Sequence, residues 1–179
     1  MLNHQGKLIG DFTLAKLADD HFFVIGSGIA ENYHMRWWEQ HLPERGVAIR
    51  AFGAELVGLS VAGPKSRELL QRLVRHDLST AALPFLSFRR MEIGLVPALV
   101  GRISGTGDLG YEIWVKPEYQ RTLYDALLDA GKDLGLRHFG ARALQSLRLE
   151  KSFGTWAREY RPIYGPYEAG LDRFIDLRK

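Results

Sequence analysis

The sequence predicts an α+β protein, in which antiparallel strands are joined as hairpins and amphipathic helices lie between and after them. Three observations predict it. Residues 102–115 read as strand, glycine-rich turn and strand, with Gly105, Gly107 and Gly110 spaced to permit a tight reversal. Leu8 to Leu17 and His21 to Gly26 read as a second hairpin, turned at Asp19-Asp20. Residues 117–134 and 140–151 repeat apolar side chains at helical spacing.

In the first strand, Leu8, Phe12 and Leu14 fall on one face, and Ile9, Asp11, Thr13 and Ala15 on the other. Asp11 is therefore a carboxylate among apolar neighbours. It is either a tuned acid or ligand contact, or an edge-strand aspartate facing water. Ile29 to Leu42 reads as a helix, ended by Pro43, with Ala30, Tyr33, His34, Trp37, Trp38 and His41 at three-four spacing. Such an aromatic stripe reads as core rather than as a stacking platform. His34 and His41 lie two turns apart with no third ligand, so no metal site is expected.

Val47 to Ala51 and Glu55 to Val61 read as short strands. Pro64 opens a short helix with Leu69, Leu70, Leu73 and Val74 inward, and with Lys65, Arg67, Arg72 and Arg75 on a solvated face. Those charges lack the aromatic interleaving of a nucleic-acid surface. Residues 77–85 form a loop, and Arg89 to Ile93 and Ala98 to Ile103 are strands. In the strand that follows the glycine turn, Tyr111, Ile113 and Val115 point one way, and Glu112 and Trp114 the other. A carboxylate and a flat aromatic then share a face beside a loop of free backbone N–H groups. That suits a flat heterocycle with N–H donors; the other reading is a hairpin with one polar face.

Pro117 to Leu134 is a helix stopped at Gly135. In the helix from Gly140 to about Lys151, Arg148 falls on the apolar side with Ala141, Leu144 and Leu147. A guanidinium there needs either an internal carboxylate such as Glu112 or a ligand. Residues 152–171 read as an ordered aromatic loop, and a last strand follows.

The chain has 179 residues, 46% hydrophobic and 25% charged, enough for one core. A net charge of +3 does not demand nucleic acid and is compatible with an anionic small ligand. The absence of cysteine excludes disulfides, thiol catalysis and cysteine metal sites. There is no transmembrane run, signal-peptide pattern or dinucleotide fingerprint. No membrane association and no flavin on this chain itself are therefore expected, with a cytoplasmic location, or the mitochondrial matrix in a eukaryote. No linker or repeat divides residues 1–179, which read as one domain.

Several stretches, taken in order, resemble the folate-binding aminomethyltransferase family, that of the glycine-cleavage T-protein. They are Gly6-Lys7-Leu8-Ile9-Gly10-Asp11-Phe12-Thr13, Ala62-Gly63-Pro64-Lys65-Ser66-Arg67, Arg102-Ile103-Ser104 with Gly107-Asp108-Leu109-Gly110-Tyr111-Glu112-Ile113, Ser146-Leu147-Arg148-Leu149-Glu150-Lys151, and Glu168-Ala169-Gly170-Leu171. The tail Trp156-Ala157-Arg158-Glu159-Tyr160 is similar to the folate module of dimethylglycine and sarcosine dehydrogenases, which lies behind a flavin domain.

The resemblance implies a T-protein-like domain with helices on one side of its sheet, incomplete at both ends. It implies that Asp11 is the catalytic aspartate against the folate nitrogens, with Thr13 in the same strand. Glu112 takes the pterin edge beside Trp114, Arg148 stands near the site, and Phe153 packs on the ligand. The implied ligand is tetrahydrofolate, and the implied reaction forms 5,10-methylenetetrahydrofolate from an N-methyl or aminomethyl donor. The implied partner is a flavin-dependent amine dehydrogenase domain or subunit. Gly105 stands where the family usually carries an aromatic, so one stacking contact is expected to be missing. The alternatives are a non-catalytic folate-binding or subunit-interaction module, a folate-dependent demethylase, and a basic domain for a partner subunit or nucleic acid. The related iron–sulfur assembly proteins carry a cysteine motif that this chain lacks.

Overall fold

A computed structural model describes residues 1–178. The chain divides into two compact units, one of residues 1–51 and 154–179 and one of residues 52–153. The sequence carries no linker at either crossing, because the first unit is closed by a returning tail rather than by a contiguous segment.

In the first unit, strand β1 (Thr13–Ala18) pairs antiparallel with β2 (His21–Ile25). The hairpin is the expected one, but it starts later than Leu8. The backbone of residues 8–10 is tied elsewhere: the Leu8 amide donates to Tyr164 O at 2.9 Å and the Ile9 amide to Met1 O at 3.0 Å. Leu8, Ile9 and Gly10 are consecutively buried, so the expected alternation begins only at β1. Within β1 it runs opposite to the face of Leu14, which is 62% exposed while Ala15 is buried. Helix α1 (Glu31–His41) buries His34. The rest of its aromatic stripe is not core in the full sense: Trp37 and Trp38 are half-buried and Tyr33 is exposed.

The second unit is a four-stranded antiparallel sheet in the order β3 (Val57–Ala62), β6 (Gly110–Val115), β5 (Val96–Gly101), β4 (Phe88–Ile93). One face carries Met91, Ile93, Val100, Tyr111, Ile113 and Val115. It packs against Leu69 and Leu70 of α2 (Ser66–Gln71) and Leu123 and Leu127 of α3 (Gln120–Gly131). The burial alternation along β6 from Tyr111 onward follows from that one-sided covering. Helix α2 starts two residues beyond Pro64, because Gly63 sits at φ +117° and its amide is bound to Leu109 O. The expected helix from Pro117 is a short 3-10 turn, α3 and a second 3-10 turn, stopped at Gly135 with φ +76°. Helix α4 (Ala141–Glu150) follows.

Two expected strands do not form. Residues 47–51 form no strand among the described residues, and Val47 is 57% exposed. Near the end a 3-10 turn, Asp172–Phe174, replaces the last strand. The basic side of α2 is largely engaged within its own unit. Arg67 bonds the Tyr111 hydroxyl and Thr80, and Arg72 bonds Glu68, Asp133 and Ala130 O. Among the described residues, no helix is long and apolar enough to cross a membrane.

Candidate functional site

The strongest local arrangement is the sheet face opposite α2 and α3. Register places Ser60, Glu112, Gly101 and Phe88 in one cross-strand row. Gly58, Trp114, Leu99 and Arg90 form the next row. Trp114 stacks with Phe88, ring centroids 6.0 Å apart at 28°. Gly101 lies under Phe88: a Cβ there would stand 2.4 Å from its ring, so only glycine fits. Sequence reading found Glu112 and Trp114 but missed Phe88, because the strand was started one residue late. The cross-strand pairing supplies what alternation along a single strand cannot.

Glu112 is half-buried, and among the described residues it forms no ion pair. Burial alone pushes its carboxyl above the ordinary glutamate range. It does not pair with Arg148. Arg148, 5% exposed, instead closes the end of α4. Its Nε donates to Gln145 Oε1 at 2.6 Å and its Nη1 to Phe153 O at 2.7 Å. The Phe153 amide donates back to Arg148 O at 2.9 Å, across Ser152 at φ +59°. Arg148 and Phe153 thus clasp one another.

Arg148→Met keeps the aliphatic stem and removes the guanidinium bonds, those to Gln145 and Phe153 among them. It is expected to cost about 1–3 kcal/mol, because the Phe153 carbonyl and the Gln145 side chain lose a charged donor. Chemical denaturation measures this; an unchanged midpoint would show that the clasp carries no stability.

The glycine-rich loop differs from the expected cradle of free N–H groups. The Ser104 and Thr106 hydroxyls lie 2.8 Å apart, the Thr106 amide donates to Ser104 Oγ, and the Asp108 amide donates to Thr106 Oγ1. Hydroxyls two residues back take up these amides, as short polar side chains do in turns. Lys151 lies over Gly107, where a Cβ would stand 2.6 Å from its stem, and pairs with Asp108 at 3.3 Å.

Asp11 and Thr13 belong to the first unit, and Glu112, Trp114, Arg148 and Phe153 to the second. Thr13 opens β1 opposite Ile25. Asp11 stands just before β1 rather than within it, and it is exposed, not semi-buried. Partial burial is nevertheless the largest influence on its carboxyl and raises it; its own backbone, the Met1 amino group and His34 act in the opposite direction. Surface exposure sets the limit, so the rise is modest. Among the described residues, no group of His, Asp and Glu could hold a metal ion.

The fold and the sequence together define a protein of the aminomethyltransferase class. The chain belongs to that family: the GCVT N-terminal domain matches over residues 1–179. It is 36% identical over 181 residues to the mitochondrial dimethylglycine dehydrogenase of Homo sapiens, covering 100% of this chain and 21% of the relative. It is 31% identical over 180 residues to an aminomethyltransferase of Caldanaerobacter subterraneus subsp. tengcongensis, covering 100% of this chain and 48% of the relative. The chain therefore spans about a fifth to a half of the length of these relatives. The fold is similar to that of the heterotetrameric sarcosine oxidase from Corynebacterium sp. U-96 in complex with pyrrole 2-carboxylate. That likeness has a TM-score of 0.58 at 17% identity and covers 75% of this chain and 68% of the other.

Proposed function

We propose that the chain is the tetrahydrofolate-binding part of a one-carbon transfer enzyme, taking a one-carbon unit from an N-methyl or aminomethyl donor to give 5,10-methylenetetrahydrofolate. The observation that carries this reading is Glu112, a partly dehydrated carboxylate without an ion pair among the described residues, beside the Trp114–Phe88 stack. A carboxylate only accepts hydrogen bonds, and the amide and amino edge of a pterin only offers donors along that side. The residues present therefore fit the ligand. Glu112 would hold the pterin edge, and Trp114 would bound it. Tetrahydrofolate, when bound, supplies the nitrogens that accept the one-carbon unit. Asp11 would hold or move a proton at its carboxyl, which burial raises above the ordinary aspartate range. Arg148 and Phe153 act together through their clasp, which sets where the Phe153 ring is presented. The mitochondrial dehydrogenases among the relatives support a flavin-dependent amine dehydrogenase domain or subunit as the source of the one-carbon unit, and a matrix or cytoplasmic location.

Glu112→Gln tests the reading in two ways. Titration calorimetry with tetrahydrofolate is expected to show affinity reduced by about 10- to 100-fold, because a charge-assisted pair of bonds becomes a neutral one. The ligand-free variant is expected to be more stable than the parent at neutral pH. A carboxyl raised by burial favours the folded state while protonated, and that advantage is lost as pH rises through its folded value. Glutamine matches the protonated form, so melting curves should coincide in acid and diverge above the glutamate range. Unchanged affinity would sink the folate assignment of Glu112.

Gly105 is exposed, and a Cβ there would meet only Leu144 at 3.7 Å, an ordinary contact. Gly105→Tyr is expected to fold normally and to tighten tetrahydrofolate binding by roughly 3- to 10-fold, the worth of one aromatic contact. Weaker or equal binding, by the same calorimetry, would show that the missing aromatic is not a ligand contact here.

A further inference from the structure

The first unit holds a buried titratable group that the proposed chemistry leaves unused. His34, in the middle of α1, is 2% exposed, and its Nε2 has no hydrogen-bond partner. Aromatic rings surround it: Phe12 edge-on at 4.7 Å and 74°, Trp156 at 5.0 Å and 71°, and Tyr33 at 5.6 Å. Such a cage keeps water from the ring and fixes its plane. The imidazole also lies hard against the chain at Gly10. A Cβ built there would stand 3.0 Å from Nε2 and 2.4 Å from the Phe12 ring, so glycine is what admits the contact. His34 thereby touches the residue before Asp11 and the residue after it.

A ring buried this deeply has a structural cost that ordinary packing would avoid with leucine or phenylalanine. Its neighbours give it a second use. We propose that His34 is the positioning residue of Asp11, fixing the Gly10-Asp11-Phe12 segment and setting the ionisation of its carboxyl in the one-carbon chemistry. This rests on the reading of Asp11 as the acid–base group. The charged groups that act on His34 are Asp11 and the Met1 amino group, and those that act on Asp11 are the Met1 amino group and His34. Trp156, packed on the ring from the tail, adds no charge. Burial is the largest influence on both groups, lowering the imidazole and raising the carboxyl, while the Ile9 backbone and the Asp11 charge act to raise the imidazole.

The test is carried out on the full chain. The His34 imidazole is titrated by NMR in the parent and in Asp11→Asn, an exposed substitution that leaves the fold in place. Asp11 raises the imidazole, so the midpoint is expected to fall when its charge is removed. An unmoved midpoint overturns the proposal, without any change made at position 34. In kinetics, His34→Phe keeps the ring volume and removes the nitrogens. It is expected to lower kcat by roughly 10- to 100-fold with KM for tetrahydrofolate little changed. The acid limb of its pH profile should move up, because Asp11 loses an influence that lowers it. His34→Gln should recover part of kcat without restoring the limb. Full activity in Asp11→Asn would sink the reading of Asp11 itself. An inactive Asp11→Asn together with a parent-like His34→Phe would sink only the role of His34.

Discussion

Asp11→Asn is expected to slow one-carbon transfer by about 10²- to 10⁴-fold, the usual worth of a positioned acid–base group. Asparagine keeps the volume, replaces one carboxylate oxygen with an NH2 donor and removes the titrating charge. Because Asp11 is exposed and precedes β1, the change should leave stability within about 0.5 kcal/mol. Tetrahydrofolate affinity should stay within a few-fold, since the binding carboxylate proposed is Glu112. The pH profile carries a further sign. If Asp11 acts as a base, the parent rate falls as pH drops through its raised carboxyl value, and the residual rate of the variant loses that limb. Single-turnover transfer of formaldehyde to tetrahydrofolate separates the chemical step from product release. A variant within a few-fold of the parent would remove Asp11 from the chemistry.

How far the sequence foretold this structure differs from element to element, and the differences have physical causes. Strand β6 was readable because the helices cover one face of its sheet, and burial then alternates residue by residue. That alternation also isolated Glu112 and Trp114. The start of β1 was not readable, because the backbone of Leu8 and Ile9 is held by Tyr164 and Met1 rather than by a neighbouring strand. Local pattern cannot report a partner more than 150 residues away. The 47–51 segment has strand-like composition but forms no strand, and composition alone does not make a ladder. Arg148 was correctly marked as a guanidinium on an apolar face. One of its acceptors, Phe153 O, depends on the left-handed turn at Ser152, which the residue type does not suggest. The glycine loop erred the other way: Ser104 and Thr106, two residues apart, were a visible sign that its amides would be taken up locally.

Tyr111→Ala is expected to destabilise the chain by about 3–5 kcal/mol, the largest loss among the substitutions considered. Tyr111 has no exposed surface and is the largest of the fully buried side chains. It sits on the central strand pair, opposite Val61 of β3, and its hydroxyl accepts a bond from Arg67 Nε at 3.2 Å. The alanine variant would leave a cavity between the sheet and the helices, and Arg67 without one of its acceptors. Tyr111→Phe separates the two effects. It keeps the ring and should cost only about 1 kcal/mol, the worth of one hydrogen bond. The functional consequence follows from register. Glu112 is the next residue on the same strand, so loss of packing at Tyr111 frees the strand that aims the carboxylate. Urea denaturation gives the two stabilities, and calorimetry at a temperature where both variants remain folded gives the affinities. Weakened tetrahydrofolate binding in Tyr111→Ala with parent-like binding in Tyr111→Phe would place the pre-organisation of Glu112 in the core beneath it. Equal affinities in both would mean that β6 holds its face through the β3 and β5 ladders alone.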